Sequence, residues 1–423
     1  MKSAAGPLAI IAISSFFLLT SDSQAKDIRR APSSVVQLAL LAATDGVPND
    51  LFGLSVAMSG NAIVVGAPFH PAINNQQGPG AAYVFVKPTS GWQNMTQVAE
   101  LTASDGEPSD QFGYSVAIDN DTIVVGADVA SVGGNSFQGA AYVFVERPGG
   151  WTTTTETAKL TASDGSSSDQ FGFSVSISGS AISVGAIGYP RGDYQGAGYI
   201  FAEPAGGWTS MTQTAELIAS DGRTNDEFGF SASLSGTTAV FGVRGLNPIP
   251  GAAYLFVEPE SGWTDTTQTA KLTASDGTAK DGFGYAVSIS GNTAVVGSPY
   301  KTGSYHDQGA GYVFVEPVEG WADMNQPAEL TPLLPVSAML GFSVYTTGNI
   351  VLIGAPGNGH DLVLAFLKPA TGWTNTSKFA VKVTDSDPGS NFGVSVSMSG
   401  FVGVVGAPDE NNQQGIAYVF GEQ

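Results

Sequence analysis

The stretch "SDGEPSDQFGYSVAI" at residues 104–118 returns as "SDGSSSDQFGFSVSI", "SDGRTNDEFGFSASL" and "SDGTAKDGFGYAVSI", with looser copies near both ends. The copies align on Phe52, Phe112, Phe171, Phe228, Phe283, Leu340 and Phe392, roughly 50 to 60 residues apart, the period of one supersecondary unit in a propeller. A unit of that size cannot bury its apolar face alone, so the copies must pack on one another. This overrides the two or three domains that 423 residues would otherwise suggest. Glycine is abundant at 55 and charged residues are scarce at 13%, which fits an all-β chain with many tight turns.

Each copy spells four strands. After Phe-Gly comes a segment like "YSVAI", then a short turn such as "SGN", then "TIVVGA", a variable loop, and "GAAYVFVEP". A Gly-Trp turn and "TQTAELTAS" complete the unit. The inner strands are apolar on both faces, as strands sandwiched between neighbours should be. The last alternates, Ala99, Leu101 and Ala103 against Glu100, Thr102 and Ser104, and reads as a half-exposed outer edge. The fold expected is all-β: a single seven-bladed β-propeller of four-stranded antiparallel blades over residues 34–423. The last copy stops after its third strand, and the segment "VVQLALLAATDG" matches only a fourth strand. The N-terminal strand is therefore expected to close the last blade, residues 34–44 pairing with 416–421.

The first 25 residues have the form of a secretory signal peptide, with an early Lys, an apolar run from Pro7 to Thr20 and a cut near Ala25. Residues 26–33 then form a short linker. About 14 apolar residues are too few to span a bilayer comfortably, so no membrane span is expected. A secreted, periplasmic or cell-surface protein follows, monomeric and without cysteine. The net charge of −21 argues against nucleic acid as a partner.

"FGYSVAIDNDTIVVGAD…GAAYVFV" resembles the FG-GAP repeat of integrin α-subunit head domains and of many bacterial exported proteins. The resemblance spans essentially the whole chain after the leader. It implies the seven-bladed fold and leaves the ligand open, since fold does not fix function. Integrin-type calcium sites would lie in D-x-D-x-D-G hairpins between the first and second strands. Here those hairpins read "SGN", "DND", "SGS", "SGT", "SGN", "TGN" and "SGF", so only Asp119 and Asp121 partly match.

The paired acids Asp45/Asp50, Asp105/Asp110, Asp164/Asp169, Asp221/Asp226 and Asp276/Asp281 carry the chain from one blade into the next. Their ordinary role is structural: Asp accepts backbone N–H bonds in turns, Gly supplies positive φ, and Phe fills the wedge between blades. The sharper alternative is a calcium ion held between the carboxylates, although hard-ion sites need about six oxygens. No cofactor is expected, and calcium is not expected to be needed for folding.

The Asp-Gly loops and the variable loops between strands two and three emerge on one face. All three histidines, His70, His306 and His360, fall there, on blades one, five and six, where a three-His metal site is a lesser alternative. So does Arg191-Gly192-Asp193. Tyr189, Arg191, Asp193, Tyr194, Tyr300 and Tyr305 are the expected partner contacts, Tyr and Arg being the types that anchor interfaces. No nucleophile elbow, zinc-protease helix or phosphate loop occurs. The sequence therefore points to a non-enzymatic binding or adhesion module for a protein or surface partner. A carbohydrate-binding propeller is the alternative, and a hydrolase a more distant one.

Overall fold

The computed structural model describes residues 34–422 and the two-residue strand Ile11–Ala12, except residues 73–75, 191, 246–249, 326, 358 and 386. The rest of the expected leader 1–25 and the linker 26–33 lie outside the described residues, as does Arg191. Seven sheets follow one another around the ring, each an up-and-down antiparallel blade. Blade one is typical: Ser55–Ser59, Ala62–Ala67, Ala81–Val86 and Ala99–Thr102. The ring closes through its chain ends. Val35–Ala42 runs antiparallel to Ile416–Glu422, from Val35 opposite Glu422 to Leu41 opposite Ala417, and serves as the fourth strand of blade seven.

The second and third strands are buried along nearly their whole length, because each lies between two neighbouring blades. The first strand is less buried than expected. Ser55, Ala57 and Ser59 stay half-exposed, since one face of each innermost strand borders the central axis rather than another sheet.

The joint between blades is made by paired glycines. A Cβ on Gly66 would stand 2.0 Å from the carbonyl oxygen of Gly113, the glycine of the next blade's Phe-Gly. The same clash, at 1.9 to 2.1 Å, recurs at Gly126, Gly185, Gly242, Gly297, Gly354 and Gly406, so all seven joints share it. Gly113 itself has φ of 96°, a conformation that disfavours any other residue. The serine two residues after the Phe-Gly glycine, or the Leu-Gly glycine in blade six, reaches the glycine carbonyl of the next blade: Ser55 Oγ donates to Gly113 O at 2.8 Å, and Ser115, Ser174, Ser231 and Ser343 repeat the bond. Beside each glycine the motif phenylalanine, or Leu340 in blade six, is buried between the blades, Phe112 lying edge-on to Tyr142 and Phe144.

The fourth strand is not the outermost one in every blade. Four of the sheets gain a two-residue parallel strand from the following blade, Met95–Thr96 lying beside Leu41–Ala42 and Thr154–Thr155 beside Leu101–Thr102. Side chains from the same segment cap the edge. Asn94 accepts from the Leu40 N–H and Gln97 from the Thr44 N–H, at 2.9 and 3.0 Å. Later copies use Thr153, Ser210, Asp265, Asp323 and Asn375 in the same way. An edge that would otherwise template pairing with another chain is thereby covered.

Trp92, Trp151, Trp208, Trp263 and Trp321 each pack into one blade-to-blade wedge, and Trp373 flanks a sixth. The wedge between blades six and seven has none; it holds an apolar cleft lined by Ile350, Leu352, Met398, Phe401 and Gly403. Gly403 occupies the place that Ile123 fills in blade two, and a Cβ there would meet nothing closer than 3.7 Å.

Gly66→Ala is expected to destabilise the protein by about 3 kcal/mol, the upper range for overpacking. Gly60→Ala, in open space at φ 56°, should cost only the left-handed strain of about 1 kcal/mol. Urea unfolding of both variants measures the gap, and equal costs would reject the glycine joint. Gly403→Val should instead stabilise by about 1 kcal/mol, since it adds a strand-favouring side chain to a cleft. Its melting temperature checks this.

Candidate functional site

The loop face has two tiers. The inner tier borders the axis and is made by the residue that follows each Phe-Gly. Tyr114, Phe173, Phe230, Tyr285 and Phe342 form an unbroken chain of rings, with centroids 5.0, 5.1, 4.9 and 4.7 Å apart. All five are half-buried. Beside them lie polar groups from the ends of the second strands. The Arg244 guanidinium stacks 4.6 Å from the Phe230 ring centre and pairs with Glu227 at 2.6 Å. Asp128 is only 3% exposed, and its Oδ1 has no hydrogen-bond partner among the described residues. Burial pushes this carboxyl up to about 7.

The outer tier is a polar cluster repeated at the blade wedges. The first Asp of each paired-acid loop accepts a hydrogen bond from the tyrosine of the third strand: Tyr83 to Asp45, Tyr142 to Asp105, Tyr199 to Asp164, Tyr254 to Asp221 and Tyr312 to Asp276. The second Asp is buried and closes its own turn. Asp50, Asp110, Asp169, Asp226 and Asp281 accept the N–H of the residue three positions earlier at 2.6 to 2.9 Å. The two acids of a pair thus have different partners.

Opposite each tyrosine, on the fourth strand, stands a charged residue whose sign alternates: Glu100, Lys159, Glu216, Lys271 and Glu329. Where it is lysine, the ammonium bonds the first Asp directly, Lys159 to Asp105 and Lys271 to Asp221, each at 2.5 Å. Although burial opposes it, this pairing with the lysine and the tyrosine hydroxyl holds Asp105 and Asp221 below the usual carboxylate range. Where it is glutamate, the variable loop sends in a donor three residues after the second strand. Lys301 reaches Asp276 at 2.6 Å, and the Tyr189 hydroxyl is shared between Asp164 and Glu216. His70 reaches Asp50 at 2.8 Å. In blade two, whose lysine already neutralises the cluster, the inserted position is Ala130. Burial and the neighbouring aspartate push Glu100, Glu216 and Glu329 above the usual range. Blade seven gathers acids with no ion pair among the described residues: Ser390 donates to Asp385 and Tyr418 to Glu410, and burial pushes Asp385 up to about 7.

Of the residues expected to contact a partner, Tyr305 is 46% exposed and Asp193 is exposed. Tyr194 and Tyr300 are half-exposed, Tyr300 lying edge-on to Tyr285 of the inner belt. Tyr189 instead sits largely within its wedge, edge-on to Tyr199. The three histidines serve separate places: His70 is buried in blade one, His306 sits on the surface beside Asp307, and His360 is half-exposed near Asp361 in blade six. Asp119, the partial match to an integrin-type hairpin, accepts the Gly179 N–H at 2.7 Å and ties blade two to blade three. Sequence reasoning passed over the inner belt, Asp128, Arg244 and the alternating fourth-strand charge. The signal for the last was present as "AEL" alternating with "AKL".

A ring of near-identical blades, with its most variable loops on one end, defines a repeat propeller. The chain belongs to the FG-GAP repeat family, whose repeat is matched at residues 35–85, 95–144, 154–201, 211–256, 266–314 and 373–420. The first three strands of blade six, which follow Leu340-Gly341 in place of Phe-Gly, lie outside the matched repeats, while its fourth strand Val381–Thr384 falls within the last one. No curated protein matches the chain. An FG-GAP propeller fits a protein-interaction module in general, and the family is generally non-enzymatic. Among the described residues no helix is long and apolar enough to cross a membrane.

Asp128 and Asp385 set a pH dependence. Each holds its proton in the folded state up to about pH 7, whereas the unfolded chain releases it near pH 4. Between those values folding takes up protons, so stability falls as pH rises from about 4 to 7. The melting temperature should be higher at pH 5 than at pH 8, and Asp128→Asn should flatten the difference by raising the pH 8 value.

Proposed function

We propose that this protein is an exported FG-GAP propeller that recognises a protein or cell-surface partner through its loop face. The observation that carries the reading is the contrast between core and loops. From blade to blade the buried second and third strands barely change, "AIVVGA" and "TIVVGA", "AAYVFV" and "AAYVFV". The loops between them, "APFHPAINNQQGPG", "AIGYPRGDYQG" and "SPYKTGSYHDQG", share almost nothing. Packing constrains the scaffold and leaves these loops free to differ, which is where recognition residues concentrate. Export follows from the leader-like first 25 residues, and calcium plays no part in this reading. A carbohydrate ligand is the second reading, favoured by the half-buried aromatic belt beside Asp128 and Arg244.

The two separate on a glycan array and a panel of immobilised extracellular proteins, each probed with and without calcium. For a protein partner, Tyr305→Ala should weaken binding by about 1–3 kcal/mol, seen as a higher Kd, at unchanged melting temperature. Asn292→Ala, on the opposite end of the ring, should leave binding intact. A binding site mapped to the Gly-Trp turns would overturn the loop-face assignment. Glycan binding lost on altering the axial belt would favour the second reading.

A further inference from the structure

We propose that the blade-one wedge is a site for a single divalent transition-metal ion, of which Zn²⁺ is the type, held by His70, Asp45 and Glu100. Ligand atoms of the three residues lie within 4.8 Å of one another. The side chain of His70 is 8% exposed, and its Nδ1 is fixed at 2.8 Å from Asp50. A carboxylate that receives one ring N–H and aims the other nitrogen at a cation is the usual support of a metal-binding histidine. The other nitrogen, Nε2, points at Asp45 from 3.6 Å, beyond hydrogen-bond reach. That separation suits two ligands of one ion: atoms about 2.1 Å from a tetrahedral zinc stand roughly 3.4 Å apart.

The other blades supply an independent observation. In blades two, four and five a positive charge already sits against the first Asp, from Lys159, Lys271 and Lys301. Lys301 stands at the same repeat position as His70, and Glu329 at that of Glu100. Blade one therefore keeps the two carboxylates and puts an imidazole nitrogen where blade five has an ammonium. The residue type changes from a cation to a cation ligand. Asp45 is 42% exposed on its side chain, which leaves an entry path and room for a water as fourth ligand. One nitrogen and two carboxylates suit zinc and its first-row neighbours, whereas calcium takes oxygen ligands.

The test uses the full chain, stripped with a chelator, given one equivalent of Zn²⁺ and passed over a desalting column. One zinc per chain should be retained, and a tenfold excess of Ca²⁺ should not displace it. His70→Asn should lose the ion. Glu100→Lys should also lose it while keeping the fold, because it recreates the arrangement that blades two and four already carry. Glu329→Gln in blade five should retain zinc as the unaltered chain does. Co²⁺ in place of Zn²⁺ should show the visible absorption of a four-coordinate site, absent in both blade-one variants. No zinc retained by the unaltered chain, or equal retention by His70→Asn and Glu100→Lys, would overturn the proposal. In the first case His70 is an internal cation like Lys301, and in the second the zinc sits elsewhere on an acidic surface.

Discussion

The contact on which the rest of this structure depends is one backbone pressed against another. At every joint the glycine of "VGA" or its equivalent lies under the carbonyl of the next blade's Phe-Gly glycine, with no space for a methyl group between them. A side chain at either position would hold the blades apart along the whole inner half of the wedge. The phenylalanine beside the contact would then lose its seat, and the serine hydroxyl would lose the carbonyl it caps. Close-packed interiors tolerate little overpacking, so these glycines set the pitch of the ring.

With the inner joint fixed, the outer wedge can vary so long as its charge balances. The fourth-strand residue and the inserted loop residue act as a pair: lysine with alanine in blade two, glutamate with lysine in blade five, glutamate with tyrosine in blade three. Each combination gives the first Asp and its tyrosine a partner without leaving an excess buried charge, which would be costly. The chain has solved one electrostatic problem in several ways inside a single molecule. Blade seven sets Asp385 and Glu410 close together, and burial there favours the protonated form of Asp385 and raises Glu410 above the usual range.

Much of this was legible in the residues. The recurring Phe-Gly and the alternation at Ala99 to Ser104 located the blades, and the unmatched N-terminal "VVQLALLAATDG" showed how the ring closes. The fifth strands were not legible, because a two-residue parallel pairing such as Met95–Thr96 leaves no hydrophobic period to read. The inner aromatic belt escaped notice because Tyr114, Phe173 and Phe230 read as ordinary strand residues until the ring sets them side by side. Asp128 looked like one acid among 37 Asp and Glu; only its burial distinguishes it. At the candidate site the residue types were visible, but the meeting of His70 with Glu100 depends on a register, Tyr83 opposite Glu100, that spacing alone does not reveal.

Closure by the two ends of the chain has a mechanical side. Val35 pairs with Glu422, so the N-terminal strand enters the sheet where the C-terminal strand leaves it. Tension applied between the termini falls on that first pair, then on Val36 and Gly421, and opens the seam like a zipper, one hydrogen-bonded step at a time. A load carried through one terminus and the loop face bypasses the seam and is shared across the blades. For a scaffold that holds a partner on one end of its ring, the direction of pull decides whether the ring resists or unfastens.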